Sequence, residues 1–242
     1  MTQSAPPISS ASDPDRRFPG LFVVVEGIDG CGSTTHAKLL AQALKNRGSD
    51  VVLTCEPSTG PIGSLIRQAL QRRLFVPDTT VPRHFAWSTM ALLFAADRMD
   101  HLDSTVAPAL RAGSVVISDR YDLSSLAYQS VTAHHGPESI PWIRELNSQA
   151  FRPDVTIVID VPAEVAEERR RLRGGVEEMF EAREIQAKLA TVYARAEELV
   201  PNDRVLHVTG VGEVQEVAVR LLEALISAAA AFFQAQSPAP RA

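Results

Sequence analysis

Apolar residues in this chain fall into two alternating patterns. Short runs rich in β-branched residues, LFVVVE (21–26), VVLT (51–54), VVIS (115–118), VTIVID (155–160) and VLHV (205–208), read as strands. Between them lie longer segments with helical periodicity: 33–47, with Leu39, Leu40, Ala43 and Leu44 on its inner face, then 63–73. A long region follows, opened by Pro82, carrying FAWSTMALLFAADRMDHL and running towards Arg111. Further helices are expected from about Leu123, at 138–150, through the charge-rich 163–199 with its break at Gly174 and Gly175, and at 212–233. The strand runs do not alternate with polar residues, as expected of strands covered on both faces. Strands separated by helices imply parallel β-α-β units. The expected fold is therefore α/β, three layers, with a five-stranded parallel sheet flanked by helices.

A chain of 242 residues can bury a substantial core. The folded part is expected at 21–233 as a single domain, between a Pro- and Ser-rich disordered extension (1–20) and a flexible tail (234–242). The extension lacks the apolar core of a secretion signal. No apolar run is long enough to span a membrane. A net charge of -5 gives no general attraction to nucleic acid or to an anionic membrane, so any anion site must be local. Cys31 and Cys55, the two cysteines, form no metal-type spacing and no disulfide framework, which points to a cytoplasmic protein.

In parallel sheets ligands bind beyond the carboxyl ends of the strands. The first such segment is EGIDGCGSTTHAK, 26–38. Strand, glycines and helix start are the context of a phosphate loop, formed here by Gly27, Ile28, Asp29, Gly30, Cys31, Gly32, Ser33, Thr34 and Thr35. Ser33 occupies the slot that usually holds lysine, so the loop lacks its usual cation. Thr34 is placed to offer a hydroxyl to a magnesium ion. After the third strand, DRYDLSSLAYQ (119–129) opens with Asp119 and Arg120. This pair fits either a magnesium-organising carboxylate with a phosphate-binding arginine or a helix cap with a surface ion pair.

The segment ISDRYDLSSLAYQ resembles the signature of thymidylate kinases. EPSTGPIG resembles that family's Glu-Pro loop, and LLFAADR its base-binding helix. The likeness covers about 21 to 225. It implies a P-loop fold, ATP as phosphoryl donor, Mg2+ as cofactor, dTMP as acceptor, dTDP as product and a homodimer. By the same resemblance Phe94 stacks on thymine, Arg98 and Ser125 contact the base with Ser124 beside them, and Tyr128 disfavours ribose. Arg120 matches the arginine on the dTMP phosphate, and Asp29 the loop carboxylate that reaches the dTMP sugar and the magnesium shell. Glu56 belongs to the acceptor site, and Thr34 and Asp119 to the metal.

EERRRLRGGVEEMFE (167–181) resembles the family's mobile lid. Some relatives keep a catalytic arginine in the phosphate loop beside the acidic residue. Others have glycine there and use lid arginines. Gly30 makes this chain resemble the second kind, with Arg169, Arg170 and Arg173 as catalytic candidates and Arg169 near the adenine. Lid arginines are the expected stand-ins for the missing lysine, with Lys38 as a second candidate. Cys55 replaces an arginine that many bacterial relatives have before the Glu-Pro, and Arg67 is its candidate substitute. The residues also fit a weakly active nucleotide-binding relative or a kinase for another pyrimidine monophosphate.

Overall fold

The computed structural model describes residues 18–74, 84–174, 180 and 182–236. Positions 1–17 of the expected extension (1–20), the helix opening at Pro82, the lid positions 175–179 and 181, and positions 237–242 of the expected tail (234–242) lie outside the described residues, while 234–236 continue a helix. Strands β1 (Leu21–Glu26), β2 (Val51–Cys55), β3 (Val115–Asp119), β4 (Val155–Asp160) and β5 (Val205–Thr209) form one sheet in the order β2-β3-β1-β4-β5. All pairings are parallel: Val25 stands opposite Asp119 on one side and Ile157 on the other. This is the five-stranded parallel α/β sheet expected from the strand pattern, and it agrees with the P-loop fold that the resemblance implies.

Helices fill the crossovers, α1 (Ser33–Asn46), α2 (Pro61–Leu70), α3 (Trp87–His101), α4 (Ala107–Arg111), α5 (Asp122–Thr132), α6 (Ile140–Leu146), α7 (Ala163–Arg173), α8 (Arg183–Tyr193) and α9 (Ala196–Leu199), and α10 (Val214–Ala228) and α11 (Ala230–Gln236) follow the last strand. Successive residues of β1 point to opposite faces and into different clusters. Leu21, Val23 and Val25 pack with Leu40 of α1 and Leu221 of α10, while Phe22 and Val24 pack with Val106 and Leu110. Both faces are dry along β1, β3 and β4, which explains their unbroken apolar runs, while the edge strands β2 and β5 are partly exposed.

Several boundaries differ from the expected ones. The long helical region is interrupted by a π-helical turn, Leu102–Val106. Pro108 just beyond it has no N–H to donate and its ring clashes in a regular helix, so the chain widens before α4. Pro61 starts α2 two residues early, as a first-turn proline can. Among the described residues the charged stretch 163–199, expected to break at Gly174 and Gly175, holds three helices, with a further break between α8 and α9. On α1 the buried stripe is Ala37, Leu40, Ala41 and Leu44, so Leu39 and Ala43 stand only at its margin. Phe18 packs on Phe151, with ring centroids 5.1 Å apart. Among the described residues no helix is long and apolar enough to cross a membrane.

Candidate functional site

The strand order reverses around β1, so the carboxyl ends of β1, β3 and β4 open onto a switch-point crevice. The loop after β1 turns directly into α1. The residue before that helix, Gly32, is left-handed (φ 95°), offers no side-chain cap, and no acidic residue occupies the first turn. The first N–H groups and the positive end of the helix dipole are therefore available to an anion. Gly30 is also left-handed (φ 91°). A Cβ there would stand 2.4 Å from the Ala166 carbonyl oxygen and 3.1 Å from Cγ of Arg170. Helix α7 thus packs so closely on the loop that only glycine fits, and the arginine that some relatives carry at this place has no room.

Thr34 Oγ1 donates to Asp119 Oδ2 at 2.5 Å. The other carboxylate oxygen, Asp119 Oδ1, is buried with no hydrogen-bond partner among the described residues. A hard divalent cation takes oxygen ligands and keeps several waters and phosphate oxygens in its shell. One hydroxyl and one carboxylate with a spare oxygen fit Mg2+ bound chiefly through its nucleotide. Among the described residues no cluster of three or more His, Cys, Asp or Glu is arranged to hold a metal alone.

Arg120 stands where two clefts meet. Its backbone is left-handed (φ 74°), costly for a residue with a Cβ. That conformation is held by the Arg120 N–H donating to Val25 O (2.9 Å) and by Ser118 Oγ donating to Arg120 O (2.8 Å). Nη1 donates to Gly27 O (2.9 Å) and Ser124 Oγ (3.1 Å), and Nη2 pairs with Asp29 Oδ1 at 2.6 Å. The guanidinium lies over the Tyr128 ring, 5.1 Å from its centroid.

On one side of Arg120 is a cleft of about 310 Å³ whose wall includes Glu56, Phe94, Arg98, Ser124, Ser125 and Tyr128. All six acceptor-site candidates thus come together with Arg120. Phe94 is half-buried. Arg98 is only 1% exposed, and it pairs with Glu56 (Nη2–Oε2 2.7 Å) and donates to Ser125 Oγ (3.1 Å) and to Asn147 Oδ1. Glu56 is held in turn by His101, whose Nδ1 lies 3.2 Å from Oε1. Asp97 is buried and accepts two bonds from Ser58, N–H and Oγ, each at 2.6 Å, so it anchors the Glu-Pro loop. Arg67 lines this cleft but donates to the carbonyls of Pro57 and Ser58. Cys55 lines it as well, and burial pushes its thiol up.

On the other side lies a cleft of about 670 Å³, walled by the phosphate loop, Arg169, Arg170, Arg173 and the turn after β5. Arg169 Nη1 donates to Cys31 O (3.2 Å) and Nη2 to Gly210 O (2.8 Å), and Arg170 donates to Asp29 O. Helical spacing separates the cluster: 169, 170 and 173 share the cleft side, while exposed Arg171 pairs with Glu168 at 2.6 Å. Ser33 is buried in the same wall. Lys38, the second candidate for the missing cation, is exposed and lines neither cleft, because α1 turns its Ala37–Leu40–Ala41 side to the sheet. The basic side chain of α1 in the cleft is His36. Burial, then Arg169 and Arg220, push its imidazole below the ordinary value, so it is no charged substitute near neutral pH.

Three buried polar residues that brace Asp29 and Arg120 or their neighbours were not singled out from the sequence. Glu26, fully buried, accepts from Tyr121 N–H (2.8 Å), Ser124 N–H (3.1 Å), Ser124 Oγ (2.6 Å) and Tyr193 OH (2.9 Å). Burial pushes its carboxyl up to about 7, against the lowering effect of the Arg120 charge and these donors. Tyr193 and Gln186 both come from α8, and Gln186 bonds to Asp29. Gln186 and Tyr193 sit in no motif, and Glu26 only heads the segment of the phosphate loop. Glu26 alone left a trace, a charge closing a buried strand.

The family model described as Thymidylate kinase matches residues 25–218 of this chain. A probable thymidylate kinase of Pyrococcus abyssi is 39% identical over 205 residues, 84% of this chain and 96% of the relative. A probable thymidylate kinase of Thermococcus kodakarensis is 39% identical over 209 residues, covering 85% and 98%. A thymidylate kinase of Xanthomonas oryzae is 35% identical over 214 residues, covering 88% and 85%. Phosphate loop, paired clefts and sequence likeness agree along the chain, and it belongs to the thymidylate kinase family.

Proposed function

We propose that the protein transfers the γ-phosphoryl group of ATP to dTMP, giving dTDP and ADP for dTTP synthesis. The observation that carries this reading is that the two clefts share one wall, formed by Asp29, Thr34 and Arg120. A donor in one and an acceptor in the other would meet there. Phosphoryl transfer asks for positioning and charge stabilisation, with little covalent help. The dTMP phosphate is already anionic, so no general base is required, and transfer is direct and in line.

The phosphate-loop amides, 27–35, would cradle the ATP phosphates, and Thr34 and Asp119 would hold Mg2+. Held by these two residues, the ion would supply positive charge to the donor phosphates and to the transferring group. Arg120 would bind the acceptor phosphate, with Asp29 beside the sugar. Arg169 would stack on adenine while Arg170 and Arg173 supply charge in place of the lysine that Ser33 does not provide. Phe94, Arg98, Ser125, Ser124 and Glu56 would form the thymine side, with Tyr128 crowding the 2′ position. We assign one kinase domain to 21–233, with its lid at 167–181, working in the cytoplasm. A homodimer would cover the exposed Leu65 and Leu92 of α2 and α3.

Purified protein with ATP, Mg2+ and each pyrimidine monophosphate in a coupled ADP assay tests the reading. The expected result is turnover highest with dTMP. No ADP above a control without acceptor, despite measurable dTMP binding, makes the chain a nucleotide-binding relative instead. Equal turnover with dUMP would remove the dTMP assignment.

A further inference from the structure

Gln186 is only 1% exposed, on the core-facing side of α8 with Leu189 and Tyr193. A buried carboxamide needs partners for both ends. Here Oε1 accepts the Asp29 N–H at 3.1 Å, and Nε2 donates to Asp29 Oδ2 at 2.8 Å and to the Phe180 carbonyl at 2.8 Å. One side chain thus holds the main chain and the carboxylate of the same loop residue. The Asp29 carboxylate is divided between two holders, since its other oxygen faces Arg120.

The two holders differ in what an arriving phosphate does to them. Arg120 lies in the wall common to both clefts and is attracted to any anion placed there. Asp29 is repelled by the same anion. Gln186 is uncharged, buried and lines neither cleft, so its hold on Asp29 does not weaken when Arg120 turns to the phosphate. We infer that Gln186 is a positioning residue that keeps Asp29 oriented during transfer, and so governs turnover more than nucleotide affinity. The inference rests on the phosphoryl-transfer reading above. The bland alternative is an amide that merely satisfies core polar groups.

Two full-length variants separate these. Gln186→Glu keeps the size and the acceptor for the Asp29 N–H but turns the donor into an oxygen facing Asp29 Oδ2. Gln186→Leu removes both bonds. Each is expected to lower kcat about 10- to 100-fold, the worth of a hydrogen bond to a charged group, with KM values little changed. The Glu variant regains activity relative to wild type as pH falls from about 8 to about 6, because a protonated carboxyl again donates to Asp29. The Leu variant does not. In the free protein, hydrogen exchange of the Asp29 amide is faster in the Leu variant. Wild-type kcat in the Glu variant, or a loss without acid recovery, overturns the inference and leaves the kinase reading intact. If wild-type protein turns over no monophosphate, the kinase reading fails by itself. Amide exchange then decides the tether, and an Asp29 amide unaffected in the Leu variant removes it.

Discussion

Arg120 Nη2 and Asp29 Oδ1 lie 2.6 Å apart in the wall between the two clefts. The pair is half-shielded from solvent and braced from both sides, by Gly27 O and Ser124 on the arginine and by Gln186 on the aspartate. An arginine held in a left-handed backbone by strand neighbours is not free to drift when its partner changes. Arg120→Ala is expected to lower kcat/KM for dTMP by about 100- to 1,000-fold, the usual loss for a preorganised charge donor. Arg120→Lys should recover little of this, because lysine lacks the planar fork. Steady-state kinetics check both, and unchanged kinetics in the Ala variant would rule out the role given to Arg120.

Ser33 is the second test. It is buried in the wall of the larger cleft, on the first turn of α1. Ser33→Lys should raise kcat by about tenfold or more if a cation at this position still reaches the phosphates. Loss of ATP binding in isothermal titration would mean that the loop has been remodelled around serine.

Glu26 predicts a pH dependence of stability. Its carboxyl sits at about 7 in the folded protein against an ordinary 4.5. Between those values the folded state binds more protons than the unfolded one, so this group's contribution falls as pH rises through the window. Above about pH 7 it is unfavourable by about 3 kcal/mol; below about pH 4.5 that cost is gone. Glu26→Gln keeps acceptors for Tyr121 and Ser124 and cannot ionise. Urea titrations at about pH 5 and about pH 8 should therefore show wild type gaining on the variant at the lower pH, by up to about 3 kcal/mol. A constant difference would show that Glu26 is charged at both.

The buried Arg98–Glu56 pair gives a fourth expectation. Arg98→Ala leaves Glu56 beside His101 alone, and removing one member of a buried pair costs about 3–5 kcal/mol. The double variant Arg98→Met with Glu56→Leu should recover much of that stability but none of the dTMP affinity. Denaturant midpoints and dTMP titrations of the same three proteins separate support of the cleft wall from contact with the base.

The strands were legible because a sheet covered on both faces writes itself as unbroken Val and Ile runs. The phosphate loop and the Asp119–Arg120 step were legible because each is local, a few residues tied to a strand end. What stayed hidden was long-range and solitary: Gln186 meets Asp29 across 157 positions and Tyr193 meets Glu26 across 167. A single polar residue on the inner face of an amphipathic helix carries no sign of its partner. Lys38 misled for a related reason. Sequence spacing gives the face of a helix, but not whether the neighbouring cleft wraps far enough round to meet it.

The contact between Gly30 and α7 bears on how such a protein can change over time. A side chain at position 30 would collide with main chain at Ala166, not with a yielding side-chain tip. A loop arginine therefore cannot be acquired first and tuned later, because the first step already displaces the helix that carries Arg169, Arg170 and Arg173. The two ways of supplying charge exclude each other on this backbone, and a lineage moving between them has to rebuild α7 and the loop together.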